Sequence, residues 1–152
     1  MRFLCLKHQR AYYHLADENL VEQWVGWMHS AGVCYQHDDW TKALSFAGSA
    51  YDLAKIRLDK SLEHRADAMA QVTLSAIYLA NIFQHLGQLC ESRNTLLLAG
   101  ECLQCFDCTR DADCANEMRA CLQSEQLREQ LITRFLNLPY RIFQMPAWAT
   151  LH

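Results

Sequence analysis

Trp27-x3-Ala31-x2-Cys34-x5-Trp40-x2-Ala43-x3-Ala47-x2-Ala50 is followed, 49 residues later, by Ala76-x3-Ala80-x2-Phe83-x5-Leu89-x2-Ser92-x3-Leu96-x2-Ala99. In both copies small residues recur at the places where two helices would have to touch. A side chain no larger than Ala or Ser lets two backbones approach closely, and larger apolar groups one turn away fill the space beside the crossing. Each copy therefore predicts a tight helical hairpin. Two hairpins built to one recipe predict a repeat array, in which each unit buries its apolar face on the next and a concave face is left for a partner.

The flanking sequence extends the array. Leu20, Trp24, Trp27, Met28, Ala31 and Cys34 or Tyr35 mark one helical face beginning near Asp17 and ending near His37. Asp38-Asp39 restarts the chain as a helix, because acidic side chains complement a helix N-terminus; Trp40, Ala43, Leu44, Ala47, Ala50, Tyr51, Ala54 and Leu58 carry its stripe. Ser61 is the cap expected for a long helix to about Leu86, whose two apolar faces imply two neighbours. Gly87 closes that helix in the left-handed conformation. A fifth helix follows from Gln88 to about Cys105, with Leu89, Leu96, Ala99 and Leu103 as its stripe, and a sixth is expected over 113–136. A short amphipathic segment over 3–15 precedes them all, and Lys55 to Arg65, alternating in charge sign, reads as a solvated face and turn. The expected architecture is all-α, about six helices in one domain over 1–138. An aromatic tail over 139–152 carries Pro139, Tyr140, Phe143 and Trp148. Two readings fit that tail: capping of the last helices, which is preferred, and insertion into a second copy to make a homodimer.

Composition bounds the function. The chain has 152 residues, of which 51% are apolar and 20% charged, enough to bury a core without disulfides or metal. A net charge of −3 supplies no basic field for phosphate backbones, so nucleic acid is not an expected ligand. The apolar run before Lys7 is only four residues long and no stretch is long enough to span a bilayer, which predicts a cytoplasmic protein with no membrane partner. There is no Gly-rich phosphate loop and no nucleophile elbow, and no residue is assigned a catalytic role.

The two copies resemble the tetratricopeptide repeat family. Trp27, Ala31 and the Asp38-Asp39-Trp40 turn match its pattern in the first copy, and Leu79, Ala80, Phe83, Gly87, Leu89 and Ala99 match it in the second. Departures are Cys34 and Ala47 where an aromatic is usual, Ala76 for Trp, Ser92 for Ala, and a spacing longer than the family's repeat of about 34 residues. The resemblance covers about Val21 to Leu103. It implies a right-handed stack of antiparallel hairpins acting as a protein- or peptide-binding adaptor, its inner face lined by first helices. Carried to this chain, the inner-facing residues are Met28, His29, Gly32, Tyr35 and Gln36, then Ile77, Tyr78, Asn81, Gln84 and His85. Some members hold a peptide's terminal carboxylate there with Lys, Arg and Asn; this chain has Asn81 but no Lys or Arg at those positions.

Eight cysteines raise a second reading, that of a metal-binding or redox-responsive protein. Cys102, Cys105, Cys108 and Cys114 lie within thirteen residues, and thiolates at short spacings can converge on zinc or an iron–sulfur cluster. On a continuous helix, however, residues three apart rotate by about 60° and climb about 4.5 Å, which keeps the first three sulfurs apart. The favoured expectation is reduced thiols and no cofactor. Cys34 with His37 lacks a third partner and reads as a core Cys beside a turn His.

Overall fold

A computed structural model describes residues 2–106 and 110–135. The described chain is helical and contains no strand: α1 (Leu6–Tyr13), α2 (Asp17–Gln36), α3 (Trp40–Lys60), α4 (Arg65–His85), α5 (Leu89–Gln104), α6 (Ala112–Gln123) and α7 (Glu125–Phe135). Successive helices α2, α3, α4 and α5 pack side by side; α1 lies on α3, α6 on α4 and α5, and α7 on α4 and α6.

The two hairpins close with the same turn. Asp38 and Gly87, equivalent in the 49-residue repeat, both take left-handed backbone angles, φ 58° and φ 76°. The N–H of Asp39 reaches back to the Cys34 carbonyl and that of Gln88 to the Phe83 carbonyl, both at 2.9 Å. This is the Schellman closure, which satisfies carbonyls that a helix end would leave bare. Asp38 occupies the glycine's position because a short polar side chain tolerates this conformation better than most. The next residue then starts the second helix, with the Asp39 carboxylate accepting from the Lys42 N–H at 3.3 Å.

Small residues sit at the crossings. Ala31 and Ala43 are fully buried between α2 and α3, and Ser92 donates its hydroxyl to the Ala80 carbonyl at 2.8 Å between α4 and α5. Helix α4 is the centre of the array, buried from Ala68 to Phe83 at all but two positions. It can carry polar residues inside because Thr73 and Ser75 return their hydroxyls to the carbonyls of Met69 and Gln71.

Several expectations are corrected. The described residues form seven helices, since Ser124 breaks the expected sixth one: its hydroxyl accepts from the Leu127 N–H at 3.3 Å and restarts the chain as α7. Ser61 caps only a turn, accepting from the His64 N–H, and α4 begins at Arg65. The Lys55–Arg65 stretch holds the expected turn over 61–64 with exposed or half-buried residues from Asp59 on, but its helical part is not a solvated face, for Ile56, Arg57 and Leu58 are buried. The Arg57 side chain is only 3% exposed, and its guanidinium is held by Asp17 at 2.8 and 3.0 Å and by Asp67 at 2.5 Å. Asp17 therefore spends its carboxylate on Arg57, rather than on capping α2, whose N-cap is Ala16. Leu89, expected in the stripe of α5, is exposed. Ahead of α1, the N–H groups of Phe3 and Leu4 both donate to the buried Asp52 carboxylate, at 2.6 and 3.0 Å, and Lys55 lies 3.4 Å from its other oxygen. The expected tail over 139–152 lies outside the described residues.

Candidate functional site

The inner face expected from the repeat divides into core and surface. Met28, Gly32, Tyr35, Ile77, Tyr78 and Asn81 are buried; Gln84 and His85 are half-buried; only His29 and Gln36 are exposed. The expectation that Tyr35, Tyr78 and Asn81 would be accessible is thus corrected. The first helices α2 and α4 are bridged by long side chains instead of parting to leave a groove. Tyr35 and Tyr78 place their ring centroids 5.0 Å apart, and the Asn81 amide nitrogen donates to the Tyr35 hydroxyl at 2.5 Å.

Around that bridge lies an aromatic cluster. Trp40, first residue of α3, stacks on His85, last residue of α4, with centroids 4.0 Å apart and planes 2° from parallel. Tyr35 meets Trp40 edge-on at 5.0 Å. Burial pushes the Tyr78 hydroxyl well above the ordinary tyrosine range, so it remains a protonated, structural group. The cluster locks one hairpin to the next at the turn end.

Helix α7 roofs part of the α4 face. A cavity of about 120 Å³ remains between them, lined by Ile77, Ala80, Asn81 and Gln84 of α4, Leu96 of α5, and Glu125 and Arg128 of α7. Arg128 is anchored by donating from Nη1 to the Leu122 carbonyl at 2.6 Å. The Asn81 Oδ1 has no hydrogen-bond partner among the described residues, although Asn81 is only 4% exposed.

A wider groove of about 410 Å³ runs between α5 and α6. Leu96, Leu97, Gly100 and Leu122 give it an apolar lining, and Arg93 and Arg119 stand on opposite sides of it. Leu97 and the adjacent Leu98 are 58% and 49% exposed. A Cβ at Gly100 would meet nothing within 4 Å, so this glycine adds open space.

No family model matches the chain, and no curated protein or solved structure matches it either.

The cysteines are dispersed. Cys102 is half-buried beside a cleft shared with Tyr13, Lys55 and Asp59, and burial raises its pKa against the opposing pull of Lys55. Cys105 is exposed at the end of α5, while Cys114 leans on α4 with Sγ 3.9 Å from the Ala66 carbonyl. Burial raises the Cys114 pKa as well. Cys108 lies outside the described residues. Among the described residues no three His, Cys, Asp or Glu side chains come together in a way that could hold a metal ion. Cys34 is half-buried, and His37 spends Nδ1 on the Val33 carbonyl at 2.9 Å.

Sequence reasoning missed Glu125, Arg128, Arg93 and Arg119. The first two were hidden in a helix read as continuous, although Ser124 before Glu125 is a signal for a new helix start. The arginines carry no local signal, since their meaning depends on which helices become neighbours.

Proposed function

We propose that the protein is a cytoplasmic, non-catalytic scaffold of the tetratricopeptide kind that binds a segment of another protein. The observation that carries this reading is the open groove between α5 and α6, with Leu97 exposed on its wall and an arginine on either side. The repeated Schellman turns at Asp38 and Gly87 support the array as a true repeat. An apolar lining between two guanidiniums suits a peptide that inserts an aliphatic or aromatic side chain and flanks it with carboxylates; Glu101 leaves a surplus of one positive charge. The chain's own segment 139–152 has the wrong charge for this role, carrying Arg141 and no Asp or Glu.

The binding site therefore moves from the inner faces of α2 and α4 to the α5–α6 groove. A photo-crosslinking residue at position 97 should capture a partner in living cells, whereas the same residue at Leu62, 69% exposed on the α3–α4 turn and outside the groove lining, should not. Adding Arg93→Glu should abolish the adduct. Equal labelling from both positions, or none from position 97, refutes the reading.

A further inference from the structure

We propose that the cavity between α4, α5 and α7 binds a small free α-amino acid as its zwitterion. This site shares Leu96 with the α5–α6 groove, but its polar groups are its own and its test does not depend on that reading. Four polar side chains converge on the cavity: Asn81, Gln84, Glu125 and Arg128. Asn81 is 4% exposed, its amide nitrogen is committed to Tyr35, and its Oδ1 accepts from no described residue. A buried carbonyl left in that state is costly, and it calls for a donor from outside the described residues. Glu125 asks for a cation, and Arg128, held by one nitrogen on the Leu122 carbonyl, presents the rest of its guanidinium for an anion.

Glu125 and Arg128 are three residues apart on α7, which puts their side chains on neighbouring positions of one face. An ammonium and a carboxylate carried on one carbon match that pairing. A peptide terminus brings one of the two charges, and a lone carboxylate would also meet the Glu125 anion. The cavity of about 120 Å³ is well above the roughly 10–15 Å³ that one water requires, which leaves room for a small backbone zwitterion. Ile77, Ala80 and Leu96 complete a lining whose exposed surface is mostly polar, which suits a ligand with little or no side chain.

The test titrates the full chain with glycine and L-alanine, reading the Asn81 side-chain amide by NMR and the melting temperature. Both amino acids should shift the Asn81 resonance and raise the melting temperature with concentration, as a ligand of the native state does. N-acetyl-L-alanine, which lacks the ammonium, and L-alaninamide, which lacks the carboxylate, should each bind at least about tenfold more weakly, the size expected for a lost charged hydrogen bond. Glu125→Gln, at an exposed position, should keep the wild-type circular dichroism and lose about tenfold in affinity; Arg128→Gln should lose a similar factor. Unmoved resonances with glycine and L-alanine would mean that the cavity holds water only and would overturn the proposal. So would equal binding of N-acetyl-L-alanine, or normal binding by Glu125→Gln.

Discussion

The Ser92 hydroxyl donates to the Ala80 carbonyl at 2.8 Å, joining α4 to α5 across a small-residue seam. Ala43 and Ala31 hold the equivalent positions between α2 and α3, both fully buried. The seam thus tolerates a hydroxyl only where a carbonyl is within reach. Ser92→Ala should cost about 1 kcal/mol, the net worth of one buried hydrogen bond. Ala43→Leu should cost about 1–3 kcal/mol by overpacking. Chemical denaturation of both variants checks the pair, and an unchanged midpoint for Ala43→Leu would refute the close crossing.

Asp17 gives the fold an acid-side dependence. Its hydrogen bonds from the Arg57 guanidinium hold its carboxyl below the ordinary 3.8, against the opposing effect of burial. A depressed folded pKa means that this stabilisation is complete above the unfolded value and lost as pH falls through the folded one. Wild type should therefore outlast Asp17→Asn in thermal melts at neutral pH, by about 2 kcal/mol for a charged hydrogen bond. Below about pH 3.8 the difference should shrink steadily. A gap that stays constant down to pH 2 would contradict the pairing.

The segment before α1 is held by Asp52 and by the fit of the Phe3 ring over Gly48. A Cβ at Gly48 would fall onto that ring. Gly48→Ala should displace Phe3 and strip the amide protection that Asp52 confers on Phe3 and Leu4, with little effect on α4 and α5. Hydrogen exchange resolved to single amides measures this directly.

Thiol reactivity should follow burial. Iodoacetamide at pH 8 should modify the exposed Cys90 well before the half-buried Cys102, whose pKa burial raises. Mass spectrometry of timed digests gives the order, and faster labelling of Cys102 would show that its cleft opens in solution.

Elemental analysis of the chain purified reduced and without a metal-scavenging tag addresses the cysteine cluster. Less than one zinc or iron per chain is the expected result. One metal per chain, lost in Cys105→Ser, would bring the metal reading to the front.

Much of the architecture was written locally. The helical period of the apolar residues, the small residues 49 apart, Asp39 as a helix start and Gly87 as a stop all act through neighbours within one turn, so they can be read in order along the chain. That is why the hairpins and their crossings were legible. The alternating charges around Arg57 misled because its meaning depends on Asp17, 40 residues earlier: paired, the guanidinium can be buried, and unpaired it could not. Tyr35, Tyr78 and Asn81 misled for a related reason. On one helix they look like an amphipathic surface, but α2 and α4 are brought near enough for Tyr35 and Asn81 to bond, and the face becomes core. The cavity under α7 and the groove beside α6 are properties of packed helices, created by the distances between elements that no single stretch of sequence contains. Sequence by itself determined the helical segments and the turns at Asp38-Asp39 and Gly87 that separate them; only the tertiary structure decided which of their faces meet solvent, because burial is a relation between segments far apart in the chain.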